Sequence, residues 1–333
     1  MTMKTPEWGD VLGHLSGYFS AVAILAAMQL DLFTPLRHGP RTCNELSNDL
    51  AVDPRRLRML LTTLASTGLV TLSDDRVANS SLAAEFMVKG QPKYMGGIHE
   101  LYSDLFSAVL TTSESIRSGT PQSEHDSESL PDAQLRAALR GLNAGATAQG
   151  RVIARDQRFE QFATILDVGG GGAGFAIGAC EVCPNLSAQV IELPRVAQIA
   201  QELIEAAGFA TRIKAISHDI AAAPLRKAYP AAVVRNLLQV MSPDRAQQVL
   251  ENVGRSLQPN GEIFVIGQIL DDDLAGPRGA LAFNLVFLNI YRDGEAYPEA
   301  SYRAWLASAN FVNIQRRQLS GSSLSLITAR RAA

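Results

Sequence analysis

The stretch TILDVGGGGAGFAIGAC, residues 164–180, decides how this chain is read. It opens as an apolar strand that ends at Asp167. Gly169 to Gly172 and Gly174 then read as a turn, and a helix starts at once. Glycines at such a place allow positive φ and let a ligand come close to the backbone. A strand, a glycine turn and a helix N-terminus in succession form the seat of a nucleotide-like cofactor in open α/β sheets.

Working outward, the next strand, QVIEL, ends in Glu192, twenty-five residues beyond Asp167. A carboxylate there can accept hydrogen bonds from both hydroxyls of a ribose. Asp219 ends the third strand in AISHDIAAAPL, where it can accept from an adenine amino group. TILDV, AQVIEL, TRIKAI, AAVV and EIFVIG alternate with helical stretches, the pattern of a doubly wound parallel sheet. A dinucleotide fingerprint begins with glycine and faces a pyrophosphate. Here the acidic Asp167 precedes the glycines, which would repel phosphate and suits a cationic sulfonium ligand, favouring S-adenosyl-L-methionine over NAD.

Residues 10–90 read differently, as helices with one hairpin. LSGYFSAVAILAAMQLDLF is apolar all round, as in a helix buried in its own chain or in a partner. Thr42 with Glu45 makes a capping box, and Asp53–Pro54 caps the next helix, which closes at Gly68. VTLSDDRVANS reads as two strands around a turn at Ser73–Asp75. The sum is a winged-helix pattern. Arg55, Arg56 and Arg58 open its third helix, but the net charge of −3 favours a solvated face over a nucleic-acid surface. Between the halves, GTPQSEHDSESLPD (119–132) is a polar loop.

No membrane partner is expected, because the apolar runs AVAILAAMQL (21–30) and LVFLNIY (285–291) are too short to cross a bilayer. The first residues, MTMKTPEWGD, lack the layout of a secretion signal, and the expected location is cytoplasmic. Cys180 and Cys183 form a CxxC that ends a helix rather than opening one, so it reads as structural, and no metal is expected.

With these residues in place, the chain resembles the S-adenosylmethionine-dependent small-molecule O-methyltransferases of plants and bacteria. The likeness runs over nearly the whole chain. It includes ELSNDLAVDPRRLRMLLTTLASTGLV, the DVGGG turn, ELP at Glu192 to Pro194, RNLLQVMSPDRAQQVLENVGRSLQPNGEIFVI and DGEAYPEASYRAWLASANF. It implies a winged-helix-like dimerisation domain over 1–95, a helical connector lining the substrate pocket over 96–160, and a Rossmann-like cofactor domain over 161–333. It also implies a homodimer, with the helix around 15–33 reaching into the partner, and a small-molecule acceptor. By the resemblance, Asp167, Gly169 and Gly171 contact the methionyl part of the cofactor, Glu192 the ribose and Asp219 the adenine. Arg235 matches a basic position near the cofactor. One motif glycine is replaced by Ala173.

The catalytic positions depart further. The family's histidine base, in a triplet like HDW, falls on Gln239, Val240 and Met241. Its flanking acidic residues fall on Gly267, Asn284 and Ala296. His218 lies beside the adenine position, and His14, His38, His99 and His125 belong to the N-terminal half. The expected chemistry is therefore methyl transfer without a histidine base. The acceptor would be a thioether sulfur, an enol or ring carbon, or an already acidic oxygen. S-methylation of the kind used in dimethylsulfoniopropionate synthesis is one candidate. Gln239 and Tyr291 can orient such an acceptor, and Tyr297 can orient it or act as a weak base if its pKa is lowered. An acidic acceptor would call for Arg140, Arg235 or Arg292. The alternatives are a relative that uses the cofactor for hydroxylation, decarboxylation or pericyclic chemistry, and a non-catalytic winged-helix regulator.

Overall fold

The computed structural model describes residues 8–91, 93–95, 98–124 and 130–333; His125 and the middle of the polar loop lie outside them. The chain divides into two units, Met1–Ser103 and Asp104–Ala333. The helices after residue 103 that the sequence suggested as a separate connector group with the sheet.

The first unit holds α1 (Trp8–Gln29), β1 (Arg41–Thr42), α2 (Cys43–Leu50), α3 (Pro54–Ser66), β2 (Val70–Ser73), β3 (Arg76–Asn79), α4 (Ser81–Phe86) and the start of α5 (Ile98–Val109). Its local chemistry follows the sequence closely. The Thr42 hydroxyl accepts from the Glu45 N–H at 3.2 Å, and the Glu45 carboxylate accepts from the Thr42 N–H at 2.8 Å. Asp53 accepts from the Arg56 N–H at 2.8 Å. Asp74 and Asp75 both have positive φ, as a tight two-residue hairpin turn requires. Leu46, Leu57, Leu61, Leu64 and Val77 fill the core. Of the arginines on α3, Arg58 lies 3.9 Å from Asp75.

Two expectations about α1 change. Only Ala23, Ala27 and Met28 are buried, while Trp8, Leu15 and Phe19 are 71%, 65% and 64% exposed, so the helix is not a core helix of its own unit. It is also a continuous helix of 22 residues, long and apolar enough by length and composition to cross a membrane. Counting only the uninterrupted run 21–30 missed this, because His14, Ser16 and several glycines break the run without breaking the helix. A helix that lies against a second chain meets the same criteria.

The second unit continues with α6 (Thr112–Ser118), α7 (Asp132–Asp156), β4 (Thr164–Val168), α8 (Gly174–Val182), β5 (Ser187–Glu192), α9 (Pro194–Ala206), β6 (Ile213–Ser217) and β7 (Tyr229–Arg235). It ends with α10 (Pro243–Arg255), β8 (Leu257–Gly267), α11 (Arg278–Ile290), α12 (Glu299–Ser308), β9 (Phe311–Gln318) and β10 (Ser325–Arg331). The sheet runs β6-β5-β4-β7-β8-β10-β9. The first five strands are parallel, and β10 and β9 join antiparallel. Because β4 leads outward to β5 while β7 returns to its other side, the strand order reverses between β4 and β7. That crevice, at the carboxyl ends of the two strands, is where such sheets bind ligands.

Alternate residues of each central strand serve opposite faces. Leu166, Val168, Ala232, Val234, Ile263 and Val265 pack toward α10 and α12, and Ile165, Ala231, Val233, Phe264 and Ile266 toward α7 and α8. The alternation places Asp167 and Arg235 on the α7/α8 face. Cys180 and Cys183 are buried in that layer, and burial pushes the Cys180 thiol up to about 12, in keeping with a packing role.

Candidate active site

At the β4–β7 crevice the glycine turn divides its labour. Gly169 and Gly171 have φ of +64° and +57°, so their backbones take a conformation few side chains tolerate. Gly170 and Gly172 are needed for space: a Cβ on them would lie 2.7 Å from the Asp167 carboxylate and 2.6 Å from Asn143 Oδ1. Gly174, expected in the turn, instead opens α8. There it and Gly178 let the helix meet α7, with would-be Cβ positions 2.8 Å from the Asn143 carbonyl and 2.1 Å from the Thr147 carbonyl. Ala173, the substituted motif glycine, keeps a positive φ of +67°.

Of the acidic residues expected near the cofactor, Asp167 and Glu192 lie close enough to feel each other's charge. Glu192, the last residue of β5, accepts from the Gly171 N–H at 2.7 Å and the Leu193 N–H at 3.2 Å. Burial raises its pKa against those two bonds. Asp219 lies two residues past β6, accepts from the Ala221 N–H at 2.9 Å and sits 3.8 Å from Arg245. Asp167 is not an exposed contact group. Its side chain is fully buried beneath Gly170, and its carboxylate has the Ala176 N–H beside it but no well-formed hydrogen bond. Burial pushes its pKa up to about 7, with Arg235 pulling down and Glu192 adding to the rise.

Sequence reading placed helices here over 96–160 but missed the two side chains by which α7 (Asp132–Asp156) holds this end of the site. Asn143 on α7 donates to the Gly172 carbonyl at 2.7 Å, and Gln149 on the same helix accepts from Arg235. Both stand in LNAGATAQG, where a polar side chain among small residues was the available signal. Leu237 packs against Gly169 and so joins the turn to the segment after β7.

That segment carries the departures, and they interlock. Gln239 is buried, and its Oε1 accepts from the Gln268 N–H at 2.7 Å. The same oxygen lies 2.6 Å from where a Cβ on Gly267 would sit, so Gln239 fills the space a side chain at 267 would need. Its Nε2 keeps only a long contact of 3.5 Å with Asn236, which narrows its expected acceptor-orienting role to this one group. Asn284 accepts from the Ala296 N–H at 2.7 Å. Tyr297 is not a latent base. It is buried, its one O–H proton is shared between the carbonyls of Met241 and Asp293 at 2.7 and 3.0 Å, and burial with Glu295 and Asp293 pushes its pKa up to about 12. The Tyr291 hydroxyl is likewise pushed upward by burial. Phe283 and Phe287 on α11 and Tyr291 just past its end form an aromatic row with centroid spacings of 5.8 and 6.2 Å, beside Val240.

Of the arginines considered for an acidic acceptor, Arg292 is held by Glu124 at 2.7 and 2.9 Å, and Arg235 donates to Gln149 and feels the Asp167 charge at longer range. Arg140 is exposed on α7. His218 Nε2 lies 2.7 Å from the Ala223 carbonyl, past β6.

Residues 123–312 match the model of the O-methyltransferase domain, and residues 12–89 that of the O-methyltransferase dimerisation domain. The chain belongs to the O-methyltransferase family. Among relatives of this methyltransferase is a 3-hydroxy-5-methyl-1-naphthoate 3-O-methyltransferase of Streptomyces sahachiroi, 27% identical over 90% of this chain and 88% of that protein. An N,N-dimethyltransferase of Streptomyces rimosus is 24% identical over 91% and 90% of the two chains. In fold it matches human N-acetylserotonin methyltransferase in complex with S-adenosylmethionine, with a TM-score of 0.84, 19% identity and full coverage of both chains.

The protein is thus an S-adenosylmethionine-dependent methyltransferase. The residues present fit that cofactor: the glycine turn offers bare backbone, and Glu192 stands where it can exchange backbone partners for ribose hydroxyls. The orphaned Asp167 carboxylate beneath the turn suits a ligand that brings positive charge. When bound, the cofactor supplies an electrophilic methyl group on a sulfonium.

Proposed function

We propose that this methyltransferase acts on a small aromatic or otherwise flat acceptor without a histidine general base. Its nucleophile would be a thioether sulfur, an enol or ring carbon, or an oxygen already acidic enough to be ionised. The observation that carries the proposal is the pairing of the departed positions. Gln239 with Gly267 and Asn284 with Ala296 bring amide side chains whose oxygens are committed to backbone N–H groups, so none can take a proton at neutral pH. Methyl transfer tolerates that loss for a suitable nucleophile. Holding nucleophile and methyl in line contributes up to about 7–11 kcal/mol, while a general base adds roughly 10²–10⁴-fold. The row Phe283, Phe287 and Tyr291 supports a flat acceptor, as does one relative named for a naphthoate. Gln239 Nε2 and the Tyr291 hydroxyl are the groups that would orient it.

The working form would be a homodimer. The dimerisation-domain match and the exposed apolar side chains Trp8, Leu15 and Phe19 on α1 support a second copy as the cover of that helix.

The test is incubation with S-adenosylmethionine and a panel of thioethers, enolisable 2-oxo acids, electron-rich arenes, acidic phenols and ordinary phenols, following S-adenosylhomocysteine. Turnover of one of the first four classes, with ordinary phenols slower by about 10²-fold or more, is expected. Ordinary phenols turning over fastest would overturn the proposal.

A further inference from the structure

Asp167 is an acid buried without a close ion-pair partner among the described residues. Both oxygens are sealed from solvent and, although the Ala176 N–H stands beside the carboxylate and favours its charge, neither oxygen has a well-formed hydrogen bond, an arrangement that disfavours the ionised form. The charged and titratable groups facing it are Arg235 on β7, Glu192 on β5 and Cys180 on α8; α7 contributes the neutral Asn143 and Gln149. Asp167 thus has one cationic neighbour, a guanidinium itself desolvated and also engaged by Gln149, while the Glu192 carboxylate works against its ionisation. Glu192 is stabilised by two backbone N–H groups, so Asp167 is the acid that gives way.

We infer that Asp167 exchanges a proton for the positive charge of the methyl donor, being a neutral acid before the cofactor binds and a carboxylate while a sulfonium occupies the crevice. On binding, the Asp167 O–H bond breaks and the proton leaves to solvent. Asp167 takes a proton back once the sulfur has become a neutral thioether, so the residue favours the donor over the product. Its pKa of about 7 places this exchange at neutral pH. The inference rests on the cofactor and is independent of the acceptor.

Calorimetry on the full chain tests it, with S-adenosylmethionine and S-adenosylhomocysteine each titrated at pH 6.5 in two buffers of different ionisation heat. Because both ligands carry the same amino-acid moiety, the difference between them reports the sulfonium alone. The expected result is release of about half to one proton more for the sulfonium ligand. Its Kd should weaken up to about 20-fold from pH 7.5 to 5.5 while that of the thioether moves by less than about threefold. Asp167→Asn should abolish the difference; where that variant does not fold, the two-ligand comparison on the unaltered protein decides. Equal proton counts for the two ligands, or an Asp167→Asn protein that keeps the sulfonium-specific release, would overturn the inference.

Discussion

The missing side chain at Gly267 and the buried amide of Gln239 are two halves of one arrangement. A Cβ at 267 would meet Gln239 Oε1 at 2.6 Å, the oxygen that satisfies the Gln268 N–H. Gly267→Ala should displace the amide and leave that N–H unpaired, at a cost of about 1–3 kcal/mol in urea unfolding. Asp167 makes a second prediction at this scale. Its folded-state pKa of about 7 lies above the ordinary value of 3.8, so the unfolded chain binds fewer protons between those pH values. Stability of the cofactor-free protein should therefore fall as pH rises from about 4 to about 7, by at most about 4 kcal/mol from this group. In Asp167→Asn that slope should be missing from urea midpoints measured across the range. Asp167, Glu192 and Asp219 were legible in the sequence because each stands at or just past the end of a strand in the α/β repeat. Asn143 and Gln149 were not, because nothing in a helical sequence reveals which turn of another element it will meet.

Among the elements, the α7–α8 contact is the tightest joint around the site. Gly178 and Gly150 bring the two backbones together, with would-be Cβ positions 2.1 Å from the Thr147 carbonyl and 2.3 Å from the Phe175 carbonyl. These obstacles are backbone and cannot swing aside. Gly178→Ala should cost about 1–3 kcal/mol or more and weaken S-adenosylhomocysteine binding, since Asn143 reaches the Gly172 carbonyl from the same helix. Calorimetry together with thermal unfolding would show both effects. Helix starts were legible to the residue at Thr42 and Asp53, where the cap and its partner lie within one turn. Gly174 was misread as a turn residue because a glycine's reason can lie in a distant chain segment. Tyr297 was open to misreading on similar grounds: the Met241 and Asp293 carbonyls that hold its hydroxyl come from the fold.

For the molecule as a whole, the strand order was readable as a doubly wound sheet, and its reversal between β4 and β7 puts RNLLQVMSPD at the ligand crevice. The role of α1 was harder to read, since an apolar helix can be covered by its own core, a second chain or lipid. If a second copy covers it, Leu15→Asp with Phe19→Asp should convert a dimer to a monomer in light scattering, with the second unit still folded by circular dichroism. The measurement that bears most directly on the central claim is the pH dependence of kcat at saturating cofactor and acceptor, using an acceptor that does not titrate between pH 6 and 9. Methyl transfer without a base predicts a flat profile, lowered only several-fold and still flat in Gln239→Ala. A profile governed by a single pKa near neutrality in the fully loaded enzyme would contradict it.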